Sequence, residues 1–307
     1  MRSSVPPPHP TRPEPWPTLS GRALALPATF ATVLIAALSV AFVVAPRMLA
    51  AASASDGAGF ADRRALVGAL REAFVGYWTS GARDLSPGMQ DVVDYWFRYH
   101  VAKAAIAAIL LIVLAVIGVA LWKAFLRAGA RGTAGRTAIA SAGVLVTTLA
   151  LFALATVMAN IQGAIAPYAS LLPMLNSGAP EGRPGGDASE AAAGALDQAR
   201  QRLADSLSTG TRTPPALETM TSDFARYHVA MAVIAAVVAV ALFALSVVLW
   251  KRRTRTEPSD RRTRRLLGSF GTASALLSLV VIVVAVANTT TAADPEPALL
   301  AFLDGGW

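Results

Sequence analysis

The chain has 307 residues, of which 54% are hydrophobic and only 15% charged, whereas an ordinary soluble domain carries about a quarter charged residues. It contains no cysteine, which excludes disulfides, thiolate metal centres, iron–sulfur clusters and cysteine nucleophiles. The formal net charge of +8 is confined to a few short stretches, and their placement points to membrane topology rather than to a nucleic-acid partner.

The apolar residues gather in five blocks, at about 24–45, 101–122, 138–160, 229–250 and 266–288. Each is roughly 22 residues, or about 33 Å of helix, which suffices to cross the hydrocarbon core. The blocks are continuously apolar and alanine-rich, without the period-two alternation of a barrel strand. The expected fold is therefore an all-α integral membrane protein with five transmembrane helices, accompanied by amphipathic extracytoplasmic helices.

Residues 1–21 are proline-rich and polar and read as a disordered cytoplasmic tail. The first span, within 22–50, reads as a retained helix or signal anchor. Cleavage at the small residues Ala50–Ala54 is the competing reading, against which its apolar run exceeds a usual signal core. The loop at 51–97 contains a helix at 60–79, where Leu66, Ala69, Leu70, Ala73, Phe74 and Tyr77 share one face. Asp62 lies near its start, where a carboxylate suits the helix dipole. The loop at 173–225 is Gly/Pro-rich at 177–186 and then helical from about 188 to 207, with Leu196, Ala199, Leu203 and Leu207 as its apolar stripe. These two helices either cap the bundle or lie flat on the membrane surface.

Spans two and four share an entry: Ser86-Pro87 and Thr213-Pro214 read as an N-cap followed by proline at the first helical position. Each helix then begins about a dozen residues before the membrane. Each leaves through a Trp-Lys pair, Trp122-Lys123 and Trp250-Lys251, an interfacial anchor by composition. Small residues, among them Ala138, Ser141, Ala142, Ala232, Ala235, Ala236 and Ala239, favour close helix approach.

The chain also repeats. Arg98-Tyr99-His100-Val101-Ala102 returns as Arg226-Tyr227-His228-Val229-Ala230, and Leu121-Trp122-Lys123 as Leu249-Trp250-Lys251, both at an offset of 128. Arg136, Ser141, Gly143, Ala159-Asn160, Pro167 and Leu171-Leu172 return as Arg264, Ser269, Gly271, Ala287-Asn288, Pro295 and Leu299-Leu300 at the same offset. Spans two and three (unit 98–172) and spans four and five (unit 226–300) thus form a tandem repeat. Two spans return the chain to its starting side, so the units are parallel, related by an axis along the membrane normal. The remaining residues, 301–307, form a short tail.

Charge sets the orientation. The segment 123–136 carries +4, the segment 251–265 carries +6 and the N-terminal tail carries +2, so the rest of the chain must carry −4 to give +8. By the positive-inside rule the N-terminus and both basic loops are cytoplasmic, and the loops at 51–97 and 173–225 and the C-terminus are extracytoplasmic. The basic loops are also candidates for anionic lipid headgroups. Lysine occurs only at 103, 123 and 251 while arginine abounds; with the Ala, Gly and Pro content this argues for GC-rich coding and a bacterial inner membrane.

Few residues invite chemistry. His100 and His228 are repeat-equivalent and lie at the outer ends of inward spans; Asn160 and Asn288 lie at the outer ends of outward spans. If the axis passes between the units, these four converge on one outer-leaflet site, rimmed by Arg98 and Arg226, with Lys103 one turn deeper. The plain alternative is interfacial anchoring and helix capping. Haem held by the two histidines is a further alternative, and two histidines alone fall short of a zinc site. No carboxylate lies within a span, no span is broken by a central Gly/Pro pair, and no phosphate loop, zincin or serine-hydrolase motif occurs. The expectation is a non-enzymatic structural or accessory membrane component, with a membrane-protein partner, a ligand or a second copy at the outer site. A small-solute or lipid transporter and a haem redox protein are the alternatives.

Overall fold

In the computed structural model, which describes residues 21–52, 57–128, 133–176 and 187–306, the chain is helical, with no strand among the described residues. Of the expected tail at 1–21, residues 1–20 lie outside the described residues, as does the Gly/Pro-rich stretch at 177–186, while Gly21 already begins α1. The helices are α1 (Gly21–Ala52), α2 (Arg63–Ser80, preceded by a 3-10 turn at Gly57–Ala61), α3 (Pro87–Arg127), α4 (Thr133–Ile165), α5 (Pro167–Asn176), α6 (Asp187–Thr209), α7 (Pro215–Arg255), α8 (Arg261–Ala293) and α9 (Pro295–Leu303).

Five of them, α1, α3, α4, α7 and α8, are long and apolar enough to cross a membrane. Their outward faces are apolar over the middle of each rod: Phe30, Val116, Phe152, Val240 and Val283 are each more than 60% exposed. So continuous an apolar surface is stable against lipid rather than water. Helices α3 and α4 form one antiparallel hairpin and α7 and α8 another. Helix α1 packs on α3, and α4 meets α7 between the hairpins.

The helix bounds follow the sequence offset. Helix α7 starts and ends 128 residues after α3 (Pro87/Pro215, Arg127/Arg255), and α8 does so after α4 (Thr133/Arg261, Ile165/Ala293). Helices α5 and α9 also start 128 residues apart, at Pro167 and Pro295. Proline disfavours helical geometry in the residue before it and removes an N–H. Each long helix therefore stops, and a short one begins at a new angle.

Within the hairpins the contact surfaces are made of small residues. Gly268, Gly271, Ser274 and Ser278 of α8 and Ala235, Ala239 and Ser246 of α7 are buried there. Ser278 Oγ donates to the Ala239 carbonyl at 2.9 Å and Ser246 Oγ to the Gly271 carbonyl at 2.8 Å. Of the two alanine rows expected to pack, Ala235/Ala239 does so, while Ala236 is exposed. The Trp-Lys pairs also differ from simple anchors. Trp122 lies on Gly143, donates to Thr147 Oγ1 at 3.2 Å and meets the Phe270 ring edge at 5.0 Å, so it fastens helices together.

Opposite the basic end the helices build a head with its own hydrophobic core. Helix α2 packs on α6 and on α3, α6 packs also on α5 and α9, and those two short helices pack on α7, completing the layer. Leu66, Leu70, Phe74 and Tyr77 of α2, Met89, Val92 and Tyr95 of α3, Leu171 and Leu172 of α5, Leu203 of α6 and Leu217 and Met220 of α7 are all buried there. Burying one such side chain contributes about 1.5–3 kcal/mol. The amphipathic helices thus cap the bundle, as one of the two expectations held. Leu207, assigned to the α6 stripe, is instead 40% exposed, one turn beyond the buried Leu203.

Local chemistry explains the helix starts. Asp62 caps α2, its carboxylate accepting from the Arg64 and Ala65 N–H groups at 2.8 and 3.0 Å. Ser86 and Pro87 begin α3 as the sequence predicts. Helix α7 begins one residue later than predicted, with Pro214 in the cap position and Pro215 first in the helix. Gly81, with φ of 62°, closes α2 in the left-handed region that glycine alone enters cheaply.

Candidate ligand or partner site

The two histidine–asparagine sets form separate pairs, one in each hairpin. His100 Nδ1 donates to Asn160 Oδ1 at 3.0 Å, and His228 Nδ1 donates to Asn288 Oδ1 at 2.8 Å. Each asparagine gives its amide to its own helix: Asn160 Nδ2 to the Thr156 carbonyl at 2.7 Å, Asn288 Nδ2 to the Val284 carbonyl at 2.9 Å. With the amide nitrogen so engaged, its oxygen is the acceptor and the imidazole proton sits on Nδ1. The pairs clasp α3 to α4 and α7 to α8. Among the described residues no hydrogen bond joins one pair to the other. A polar link between hairpins at this level is the Gln162 side chain, which donates to the Tyr227 carbonyl at 3.1 Å.

The histidines differ in their surroundings. His100 lies flat against Gly163, so close that a β-carbon there would sit 2.7–2.8 Å from the ring. Its Nε2 is enclosed with no partner, which leaves that nitrogen no opening toward an axial haem iron. Position 291, 128 residues after Gly163, is threonine.

The remaining candidates separate. Lys103 extends toward α1, its Nζ 4.5 Å from the centre of the Phe42 ring and 5.2 Å from that of Tyr99, a cation held on two aromatic faces. Arg98 is half-buried, with its Nε enclosed and unpartnered. Arg226 instead pairs with Asp223 at 3.2 Å. The residue 128 positions before Asp223 is Tyr95, so Arg98 has no carboxylate three residues before it.

Arg226 opens onto a cleft of about 450 Å³ in the head, between the α2–α3 turn, α3, α5 and α7. The cleft is lined by Arg83, Asp84, Gln90, Tyr168, Glu218, Thr219, Ser222, Asp223 and Arg226, among others. Arg83 forms an ion pair with Glu218. The Tyr168 hydroxyl is buried without a partner among the described residues, and burial, with Tyr77 and Asp223 nearby, pushes it well above the usual phenol range. Asp223 Oδ2 accepts from the Ala169 N–H at 2.9 Å, capping α5 from a different helix. Two guanidiniums and three carboxylates around one cleft suit a ligand or partner group that carries both signs of charge.

Of the cleft residues, the sequence singled out Arg226 alone. Asp223, Arg83 and Glu218 lie in polar stretches that resemble ordinary solvated helix, and only the packing of α7 against α5 and the α2–α3 turn brings them together. A signal was present at Asp223: an acid three residues before an arginine on the helix that enters the membrane. No family model, curated protein or solved structure matches the chain.

Proposed function

We propose that the protein is a non-enzymatic, multi-pass component of a bacterial inner membrane that presents a rigid extracytoplasmic head to a polar ligand or a partner protein. The N-terminus and the two basic loops lie in the cytoplasm and the C-terminus outside, since arginine and lysine concentrate at one end of the bundle. The architecture is a tandem duplication of a two-span unit with parallel copies. The 128-residue offset shared by identical motifs, helix bounds and His–Asn pairs supports this reading. In it the His–Asn pairs are internal clasps, and the binding surface is the head cleft bordered by Arg226.

The observation that carries the reading is the cleft itself. It is bounded by both units and lined by five charged side chains over a buried, unpartnered tyrosine hydroxyl. Ser222 is exposed and lines the cleft, whereas Ser208 is exposed at the end of α6. The chain lacks cysteine, so Ser222→Cys and Ser208→Cys each carry a single photo-crosslinker. Crosslinking in intact membranes should give a specific adduct from position 222 that Arg226→Ala and Arg83→Ala reduce. Equal adducts from both positions, or none from 222, refute the cleft as the contact surface.

A further inference from the structure

A second cleft, of about 540 Å³, opens at the opposite end of the bundle, lined by Phe125 of α3 and by Arg261, Arg262, Arg265, Leu266 and Ser269 of α8. Three guanidiniums line it and, among the described residues, no carboxylate does. Among the described residues no acid comes within ion-pair distance of any of the three. The acid next in sequence, Asp260, is committed to its own helix, accepting from the Thr263 N–H at 3.0 Å. Arg262 lies over the Phe125 ring, 4.1 Å from its centre, and its Nη2 is enclosed with no partner among the described residues. The guanidinium is thus fixed in orientation with a donor unspent.

Neighbouring arginines behave differently. Arg253 stacks on Trp250 at 4.5 Å, and Arg264 Nη1 donates to the Thr256 carbonyl at 3.3 Å. The repeat sharpens the contrast. Where the second unit has Arg261, Arg262 and Arg265, the first has Thr133, Ala134 and Thr137, although Arg264 keeps its counterpart Arg136. Orientation in the membrane needs only basic residues somewhere in the loop; a cluster facing one cleft needs a further reason. Toward the bilayer the cleft is bordered by the apolar Leu266. Beyond it Leu276 and Val280, both exposed, continue the same face of α8, seven and eleven residues after Ser269.

We infer that this cleft binds a phosphate group, carried at the head of an anionic phospholipid or free in solution. Arginine forks match phosphate oxygens bidentately, and the apolar helix surface beside the cleft supplies a bed for acyl chains, which favours the lipid source. The site joins α3 of the first hairpin to α8 of the second, so an occupant bridges the two.

The test uses the full chain, purified in detergent and exchanged into mixed phosphatidylcholine–phosphatidylglycerol micelles, with retained lipid counted by mass spectrometry. Wild type should retain phosphatidylglycerol over phosphatidylcholine. The variant with Arg261→Gln, Arg262→Gln and Arg265→Gln should lose that preference by roughly tenfold or more. A control with Lys251→Gln, Arg252→Gln and Arg255→Gln removes the same charge outside the cleft and should stay within about twofold of wild type. Equal loss in both variants, or none in the first, overturns the site. Inorganic phosphate titrated into lipid-free protein separates the sources. Saturable binding abolished by the cleft variant, without any phosphatidylglycerol preference, keeps the phosphate site and assigns it to a soluble ligand. Arg262→Lys, which keeps the charge but not the planar fork, guards against misfolding of the triple variant and should bind with intermediate strength.

Discussion

Asp223 on α7 caps a helix to which it does not belong: its Oδ2 accepts the Ala169 backbone N–H of α5 at 2.9 Å, while its Oδ1 receives Arg226 at 3.2 Å. One side chain therefore ties α5 to α7 and holds the arginine that borders the cleft. Asp223→Ala leaves a buried N–H unpaired and should cost about 1–3 kcal/mol. Asp223→Asn keeps an acceptor and should recover much of that loss. Thermal unfolding of the purified variants in one detergent measures both; an alanine variant as stable as wild type refutes the role.

The fit of His100 on Gly163 makes a sharper steric prediction. A methyl group at 163 meets ring atoms at 2.7–2.8 Å, and the ring is held in place by Asn160. Gly163→Ala should destabilise the α3–α4 hairpin by about 1–3 kcal/mol, the usual range for overpacking. Gly271→Ala meets Trp250 at 2.9 Å, but that indole is 40% exposed and has room to move. The second substitution should be the milder one in a denaturation titration, and the reverse order contradicts the packing described.

The two clasps should also differ in strength. Asn160 is buried, at 6% exposure, whereas Asn288 is half-buried. Interhelical hydrogen bonds within membranes contribute on average about 0.6 kcal/mol, and up to about 1.7 kcal/mol. In double-mutant cycles of His→Ala with Asn→Ala, the 100/160 pair should show the larger coupling. Coupling of His100 to His228 or Asn288 instead would restore the single shared site that the sequence raised.

Orientation is open to chemical labelling, because the chain has no native cysteine. In intact cells a membrane-impermeant maleimide should modify Glu190→Cys and Ser208→Cys in the head. Glu257→Cys, in the basic turn, should react only after permeabilisation. A reactive position 257 in sealed cells inverts the topology.

Asp62 supplies a pH dependence whose sign is fixed. Hydrogen bonds from the Ala65 and Arg64 backbone N–H groups hold its carboxyl below the usual carboxylate range. A pKa depressed in the folded state contributes stability above the unfolded value of about 3.9 and loses it as pH falls through the folded one. Hydrogen exchange at the first turn of α2 should therefore accelerate under acid in wild type. Asp62→Ala should exchange quickly at neutral pH and show little further change.

The spans and the amphipathic stripe of α2 were legible in the chain because each depends on local periodicity and length. Leu66, Leu70, Phe74 and Tyr77 were assigned to one face and are buried together. The repeat also placed His100, His228, Asn160 and Asn288 at one depth. Depth is a matter of residue count along a helix; which way a side chain faces around the axis depends on the neighbour, about 100° per residue. Each histidine faces the returning helix of its own hairpin, and that partition was not readable from spacing. Asp223 escaped notice for a related reason: a cap supplied by another helix leaves no trace near the N-terminus it serves, where the chain reads only Ala166-Pro167-Tyr168.

Helices α3 and α7 each run 41 residues without a proline beyond the first position, about 60 Å of rod where the hydrocarbon core needs about 30 Å. Sharp helix kinks arise mainly at proline, paired glycine and serine, or π-bulges. The head and the basic end are thus the two ends of the same pair of stiff levers. A tilt of about 10° at the head swings the far tip by about 10 Å, so a push on one end of either rod is carried mechanically to the other.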